Sequence, residues 1–231
     1  MPKKSYQQIR AFVKGTIAEH VPIVPVSALN NVNIDLLIQT IQDRFPTPVR
    51  DLKKPPVMFV ARSFDINKPG ISFQKIEGGV VGGALKHGVL RVGEKVEILP
   101  GKKVEREGRV TWVPIVTTVV GIRTGDVDLR EALPGASIAV RTMLDPGLTK
   151  SDSLTGNMVG LQGQLPPVHY ELKLVPHLLE RVVGSEKELQ VQPIKKGENL
   201  MLNVNSAMTV GIVTELSKRF FHGEVKASGV R

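Results

Sequence analysis

"GGVVGGALKHGVLRVGEKVEILPG", residues 78–101, is Val/Ile-rich text broken by glycines and charged turns, with no helical spacing. Runs of this kind read as short strands joined by tight turns. The glycine pairs around Val80 and Val81 read as a tightly twisted strand that another backbone approaches closely, ahead of a ligand cradle. The same texture continues on both sides. "PVMFVARSFDI" (56–66), "GRVTWVPIVTTVVGI" (108–122) and "GASIAVRTML" (135–144) are further apolar runs between Gly, Pro and charged residues. Regular short strands with glycine-rich turns predict a mainly β chain with a closed barrel or sandwich at its centre.

Upstream the period changes. Tyr6, Ile9, Phe12 and Val13 form one stripe over residues 5–14, a short helix that Gly15 is placed to end. "HVPIVPVSA" (20–28) reads as a buried strand. Asn33 is then the expected N-cap of a helix, with Asp35 at its positive end and Ile34, Leu37, Ile38, Ile41 and Phe45 along one face. "PTPVRDLKKPPV" (46–57) has four prolines and a cluster of charges, the composition of a linker. Downstream, "GLQGQLPPV" (160–168) marks a second break. Strand-like "YELKLV" (170–175), "NLMLNVNSAMTVGIVTEL" (199–216) and "FHGEVKASGVR" (221–231) follow, with a short helix or turn expected around Leu178, Leu179, Val182 and Val183.

Composition narrows the classes. With 41% hydrophobic residues the chain is globular, and no run approaches the ~20 apolar residues of a membrane span. There is no cysteine, hence no disulfide, thiolate metal site or Cys nucleophile, which fits a cytoplasmic protein. His20, His87, His169, His177 and His222 show no ligand spacing, so no metal site is expected. No Ser/His/Asp or paired-carboxylate spacing stands out, and no catalytic residue is assigned. The 31 Lys and Arg exceed the 22 Asp and Glu, a net charge of +9. Such a balance favours phosphate-bearing or acidic partners, or simply a solvated surface.

Nucleotide-binding motifs are incomplete. A phosphate loop needs G-x-x-x-x-G-K-[ST]. "GVVGGA" (79–84) lacks the Lys, and "GVLRVGEK" (88–95) has Glu94 in its place. "NKPG" (67–70) imitates the base-specificity motif Asn-Lys-x-Asp, but Gly70 stands where Asp is required, and Pro-Gly predicts a turn. "SAL" (27–29) has the form of a guanine-supporting loop, and equally of a plain loop between a strand and a helix. These residues alone provide no site for binding or hydrolysing GTP.

The order of the segments is more specific than any one of them. "VPIVPVSALNNVNIDLLIQTI", "PTPVRDLKKPPVMFVARSFDINKPG", "GGVVGGALKHGVLRVGEKVEILPG", "LDPGLTKSDSLTGNMVG" and "LLERVVG" together resemble the γ subunit of eukaryotic and archaeal translation initiation factor 2, most of all the archaeal form. The central stretch is also similar to domain II of elongation factor Tu. The resemblance implies the C-terminal part of a G domain at 1–48 (strand, guanine loop, helix), a translational-GTPase domain II β-barrel at 49–163, and a partial second barrel, domain III, at 164–231. It further implies a chain that begins within the G domain and stops short of the end of domain III.

That family binds GTP or GDP with Mg and delivers methionylated initiator tRNA to the small ribosomal subunit, together with α and β subunits. No cofactor is expected on these residues alone, and neither a membrane nor DNA is expected as a partner. Carried over residue by residue, Ser27, Ala28 and Leu29 match the guanine loop. The tRNA acceptor end is expected at Gly78, Gly79, Val80 and Val81, with Arg123 either pairing a phosphate or serving as a surface charge. The α subunit is expected near Asp126, Asp128, Asp145, Lys150 and Asp152. The β subunit is expected to use chiefly the G domain. The other reading is a non-enzymatic paralogue or split protein that acts as a protein-interaction module in translation.

Overall fold

The computed structural model describes residues 2–106, 109–178, 192–216 and 225–228. The chain divides into two compact units, Met1–Val49 and Arg50–Arg231.

The first unit holds two helices, α1 (Pro2–Val13) and α2 (Ile34–Arg44). Gly15, at φ +73°, turns the chain after α1, as only glycine does without cost. Two local expectations are corrected. Asn33 stands at the N-cap of α2, but in the left-handed conformation (φ 57°), and its side-chain amide donates to the Pro25 carbonyl and does not cap the helix. Residues 20–26 form no strand, because no second strand supplies a hydrogen-bonding ladder among the described residues. Only an isolated bridge, Ser27 to Val32, closes the loop between them. None of the α2 residues is buried, so the apolar stripe read from the sequence lies uncovered among the described residues.

The second unit is β. Its strands are β1 (Val57–Phe64), β2 (Val80–His87), β3 (Leu90–Arg91), β4 (Lys95–Arg106), β5 (Arg109–Thr124), β6 (Val127–Leu129), β7 (Glu131–Ala132), β8 (Ser137–Thr142), β9 (Met158–Leu161), β10 (Glu171–Leu174), β11 (Asn199–Val204), β12 (Ala207–Ile212) and β13 (Val225–Ser228). The order β4-β9-β1-β2-β8-β5, with β5 pairing back onto β4, closes a six-stranded antiparallel barrel, and β6 extends β5 as a hairpin. The central barrel expected from the Val/Ile runs is therefore present, as a ring and not a sandwich.

Strand alternation builds its interior. In β8, Ile138, Val140 and Thr142 point inward while Ser137, Ala139 and Arg141 do not. Met58, Val60, Val81, Leu85, Val96, Ile98 and Val119 complete the core from the neighbouring strands. Register shifts between Val60 and Arg62 and between Val119 and Gly121 are bulges, which bend β1 and β5 enough for the sheet to close.

The glycine text quoted first decides the closure. A Cβ on Gly83 would stand 1.8 Å from the Phe59 carbonyl oxygen, so β1 and β2 can approach only because that atom is missing. Beyond the barrel, β10 pairs with β13 and β11 with β12, the latter across a turn at Asn205 with φ 54°. Among the described residues these are two separate two-stranded sheets. The helix or turn expected at Leu178–Val183 begins on Leu178 and otherwise lies outside the described residues.

Candidate nucleic-acid interface

The outer faces of β1, β2, β8 and β5 form one open groove of about 1030 Å³. Two glycines, Gly82 and Gly121, leave its floor shallow. A Cβ on either would meet other atoms only at 3.8 and 3.6 Å, ordinary contact distances, so there is free space above them. Arg62, Arg123, Arg130 and Arg141 stand around this floor. Arg130 follows β6, and the other three come from strands far apart in sequence, which register brings side by side: Arg62 faces Gly82, Gly82 faces Ala139, and Ala139 faces Arg123.

Three of the four arginines are held by carboxylates. Arg62 Nε donates to both oxygens of Asp152, at 2.9 and 3.0 Å. Arg123 lies 3.2 Å from Asp128, and Arg141 pairs with Glu77. All three pairs are solvent-exposed, where an ion pair adds at most about 1 kcal/mol. They orient guanidinium groups more than they stabilise the barrel, and a phosphate can take over the contact. Arg130 has no carboxylate partner among the described residues.

Glu77 is set in place by Asn67. The Asn67 side-chain amide donates to the Glu77 carbonyl at 2.7 Å and accepts from the Glu77 N–H at 2.8 Å, as a strand would. The Asn67 N–H and its side chain also donate to Asp65, and these hydrogen bonds hold the Asp65 carboxyl below its ordinary range. The "NKPG" text makes the turn expected of it, with Gly70 at φ 82° and the Ile71 N–H bonded to the Lys68 carbonyl. The motif thus ties off a loop that carries Glu77 to the groove.

Asp152 ties a second loop to β1. The Arg62 guanidinium, first, and the Ser63 N–H, second, hold its carboxyl below the usual carboxylate value of 3.8. A carboxylate whose folded pKa is depressed adds stability that is fully present above its unfolded pKa and disappears as pH falls through the folded one. Acidification through and below about pH 3.8 is therefore expected to release this loop from β1. The protection factor of the Ser63 amide against hydrogen exchange should fall there, and Asp152→Asn should remove that acid step.

The expected acceptor-end residues divide. Val80 and Arg123 line the groove, whereas Gly78 opens into an adjoining recess with Phe73 and Met143. The Val81 side chain is wholly in the core, at 0% exposure. A Cβ on Gly78 would sit 1.9 Å from the Thr142 carbonyl and one on Gly79 2.3 Å from Thr149 Oγ1, so both glycines serve internal fit. Arg62, Glu77, Gly82, Gly121 and Arg141 carry no local sequence signal that marks them as part of the groove. Only the order of strands around the barrel joins them, and that order is not written in any local period.

The residues expected to meet the α subunit lie at two ends of β8. Asp126 and Asp128 are at the β5–β6 turn, beside Ser137, where Thr124 donates to the Ser137 carbonyl. Asp145, Lys150 and Asp152 follow Thr142, about 17 Å away along the strand. Asp145 is used within its own loop, accepting from the Gly147 N–H at 2.8 Å.

In the first unit, the loop at 27–29 is tied by reciprocal hydrogen bonds between Ser27 and Val32 and by Asn30 donating to Ser27 Oγ. The N–H groups of Ala28 and Leu29 have no partner among the described residues, and Leu29 is 94% exposed. The loop thus offers free backbone donors of the kind a base carbonyl accepts.

A closed barrel of this strand order is consistent with domain II of a translational GTPase. A family model described as "Initiation factor eIF2 gamma, C terminal" matches residues 170–227. The chain is 52% identical over 215 residues to the translation initiation factor 2 subunit gamma of Pyrococcus horikoshii, covering 93% of this chain and 52% of that one. Against the subunit of the same name from Methanothermobacter thermautotrophicus it is 51% identical over 210 residues, and against that of Aeropyrum pernix 50% over 217, again covering 52% of each relative. Over 93% of its own length the chain is thus similar to γ subunits of translation initiation factor 2. It spans about half the length of the relatives it matches. Among the described residues, no helix is long and apolar enough to cross a membrane.

Proposed function

We propose that this chain supplies the part of a cytoplasmic initiation factor γ subunit that holds the acceptor end of methionylated initiator tRNA for delivery to the small ribosomal subunit. The observation that carries this reading is the glycine-floored groove ringed by arginines on a barrel of this family. The floor at Gly82 and Gly121 admits a ribose or base edge, and the guanidinium groups of Arg123 and Arg141 meet phosphates. Gly78, Gly79 and Val80 shape the neighbouring wall, and Val81 anchors it from the core. Each phosphate neutralised by the protein releases counterions, so affinity falls with salt. In a titration with methionylated acceptor-stem RNA, Arg123→Ala with Arg141→Ala should flatten the log K against log salt plot by about 1.4 in slope. An unchanged slope would remove the groove from the tRNA path.

The rest of the family's work divides accordingly. GTP or GDP with Mg is held by the G domain, to which this chain lends the loop at Ser27, Ala28 and Leu29, the two free N–H groups facing the guanine O6. The β subunit engages that same domain. For the α subunit we favour the end of β8 with Asp126 and Asp128. Asp145 is already engaged in its own loop and Asp152 with Arg62 and Ser63 of β1, and Lys150 sits beside them. Asp126→Lys should weaken α-subunit binding by about tenfold in a calorimetric titration, as a charge reversal at an interface does.

A further inference from the structure

A further groove, of about 470 Å³, lies at the other end of the β1–β2 hairpin, where Val57 pairs with His87. The arginine groove runs from the Phe64–Val80 end as far as Ala61 and Gly83, two and three residues short of Phe59 and Lys86, and the two grooves share no lining residue. Phe59, Val57 and Met158 line this second groove beneath the basic groups Lys54, Lys86 and His87. No carboxylate lines it, unlike the arginine groove with its Glu77 and Asp128.

The Lys86 ammonium stands 5.3 Å from the centre of the Phe59 ring. Lys54 is 3.7 Å from Asp51 in an exposed pair, which is weak enough to exchange for another anion. His87 Nδ1 is 2.7 Å from the Pro55 carbonyl. A carbonyl only accepts, so Nδ1 carries the hydrogen. In the neutral ring Nε2 is then an acceptor, and it has no partner among the described residues.

We propose that this groove binds a nucleotide of single-stranded RNA. The base takes the place of the Lys86 ammonium over the Phe59 ring, Lys86 swings out to join Lys54 on the flanking phosphates, and the ribose 2′-hydroxyl donates to His87 Nε2. An aromatic platform beside cations is how single strands are held without sequence preference. An acceptor placed for the 2′-hydroxyl is what tells RNA from DNA. The volume lies within the roughly 300–1,000 Å³ of small-ligand sites. The assignment is independent of the acceptor-end reading, since the two grooves are lined by different residues.

The test uses the full chain and a fluorescently labelled oligouridylate, which has no methionylated end, titrated by anisotropy over a salt series. Lys54→Ala with Lys86→Ala should reduce the salt slope by about 1.4. Phe59→Leu, which keeps an apolar side chain, should weaken binding by about tenfold. His87→Ala should abolish the preference for oligouridylate over oligodeoxythymidylate while leaving DNA affinity unchanged. The Arg123→Ala, Arg141→Ala variant should bind the oligomer as the parent does, so failure of one groove is separable from failure of the other. Thermal midpoints of the lysine and histidine variants should match the parent, since those side chains lie on the rim. The proposal is overturned if the oligomer does not bind, if the lysine variant keeps the parent slope, if RNA and DNA bind alike, or if the arginine variant alone loses binding.

Discussion

Gly83→Ala should destabilise the barrel by about 3 kcal/mol or more, an effect near the upper end for a single added methyl. The added Cβ would lie 1.8 Å from the Phe59 carbonyl oxygen and 2.8 Å from its carbon. Both are backbone atoms, so no side-chain rotation relieves the clash. Relief requires moving β1 from β2, yet Gly83 is also paired with Ile138 of β8 on its other side. The three strands must separate together, which exposes Met58, Val60 and Val81, all buried in the core. For a chain of this size the loss corresponds to a fall in thermal midpoint on the order of 10 °C. Gly82→Ala is the control, because the same methyl there meets nothing nearer than 3.8 Å. A scanning calorimetry trace in which the two variants melt alike would mean that the β1–β2 approach does not limit closure of the barrel.

This pair of glycines shows where sequence reading succeeds and where it stops. That the chain forms strands from residue 56 onward follows from its Val/Ile runs and the glycines between them, and close backbone approach follows from "GGVVGG". Which glycine meets a backbone and which faces solvent depends on the partner strand, through the bulge between Val60 and Arg62. The same limit hides the groove. Glu77 and Arg141 are 64 residues apart, and Arg62 and Asp152 are 90 apart. No local period relates residues so distant. Segment 20–26 marks the opposite error: an apolar run read correctly as apolar does not become a strand without a ladder partner. The motif "RSFDINKPG" carries the family resemblance as text alone. The structure supplies its mechanics in the Asn67 side chain, which holds Asp65 and Glu77 at once.

Gly82→Phe should abolish binding of the methionylated acceptor end while leaving the barrel folded. The outward position of Gly82 is the reason for both halves of the result. Its Cβ would stand 3.8 Å from Arg62 Cβ, the Arg62 carbonyl oxygen and the Phe64 ring, all ordinary contact distances that strain no backbone. A benzyl group built outward from that point occupies the floor between Arg62 and Ala139, where the acceptor end is proposed to lie. Filling a site sterically removes all of its contacts together, so a loss of at least a hundredfold in affinity is expected, more than from either arginine alone. Binding of the labelled acceptor stem and the thermal midpoint should be measured on the same preparation. Retained binding with an unshifted midpoint would place the acceptor end elsewhere on the chain. Lost binding with a shifted midpoint would be resolved by Gly121→Phe, which fills the same floor from β5, where a Cβ meets only the mobile end of Arg141 at 3.6 Å. Two obstructions raised from different strands share the groove but no packing neighbour. Concordant loss of binding in both is therefore a property of the groove itself.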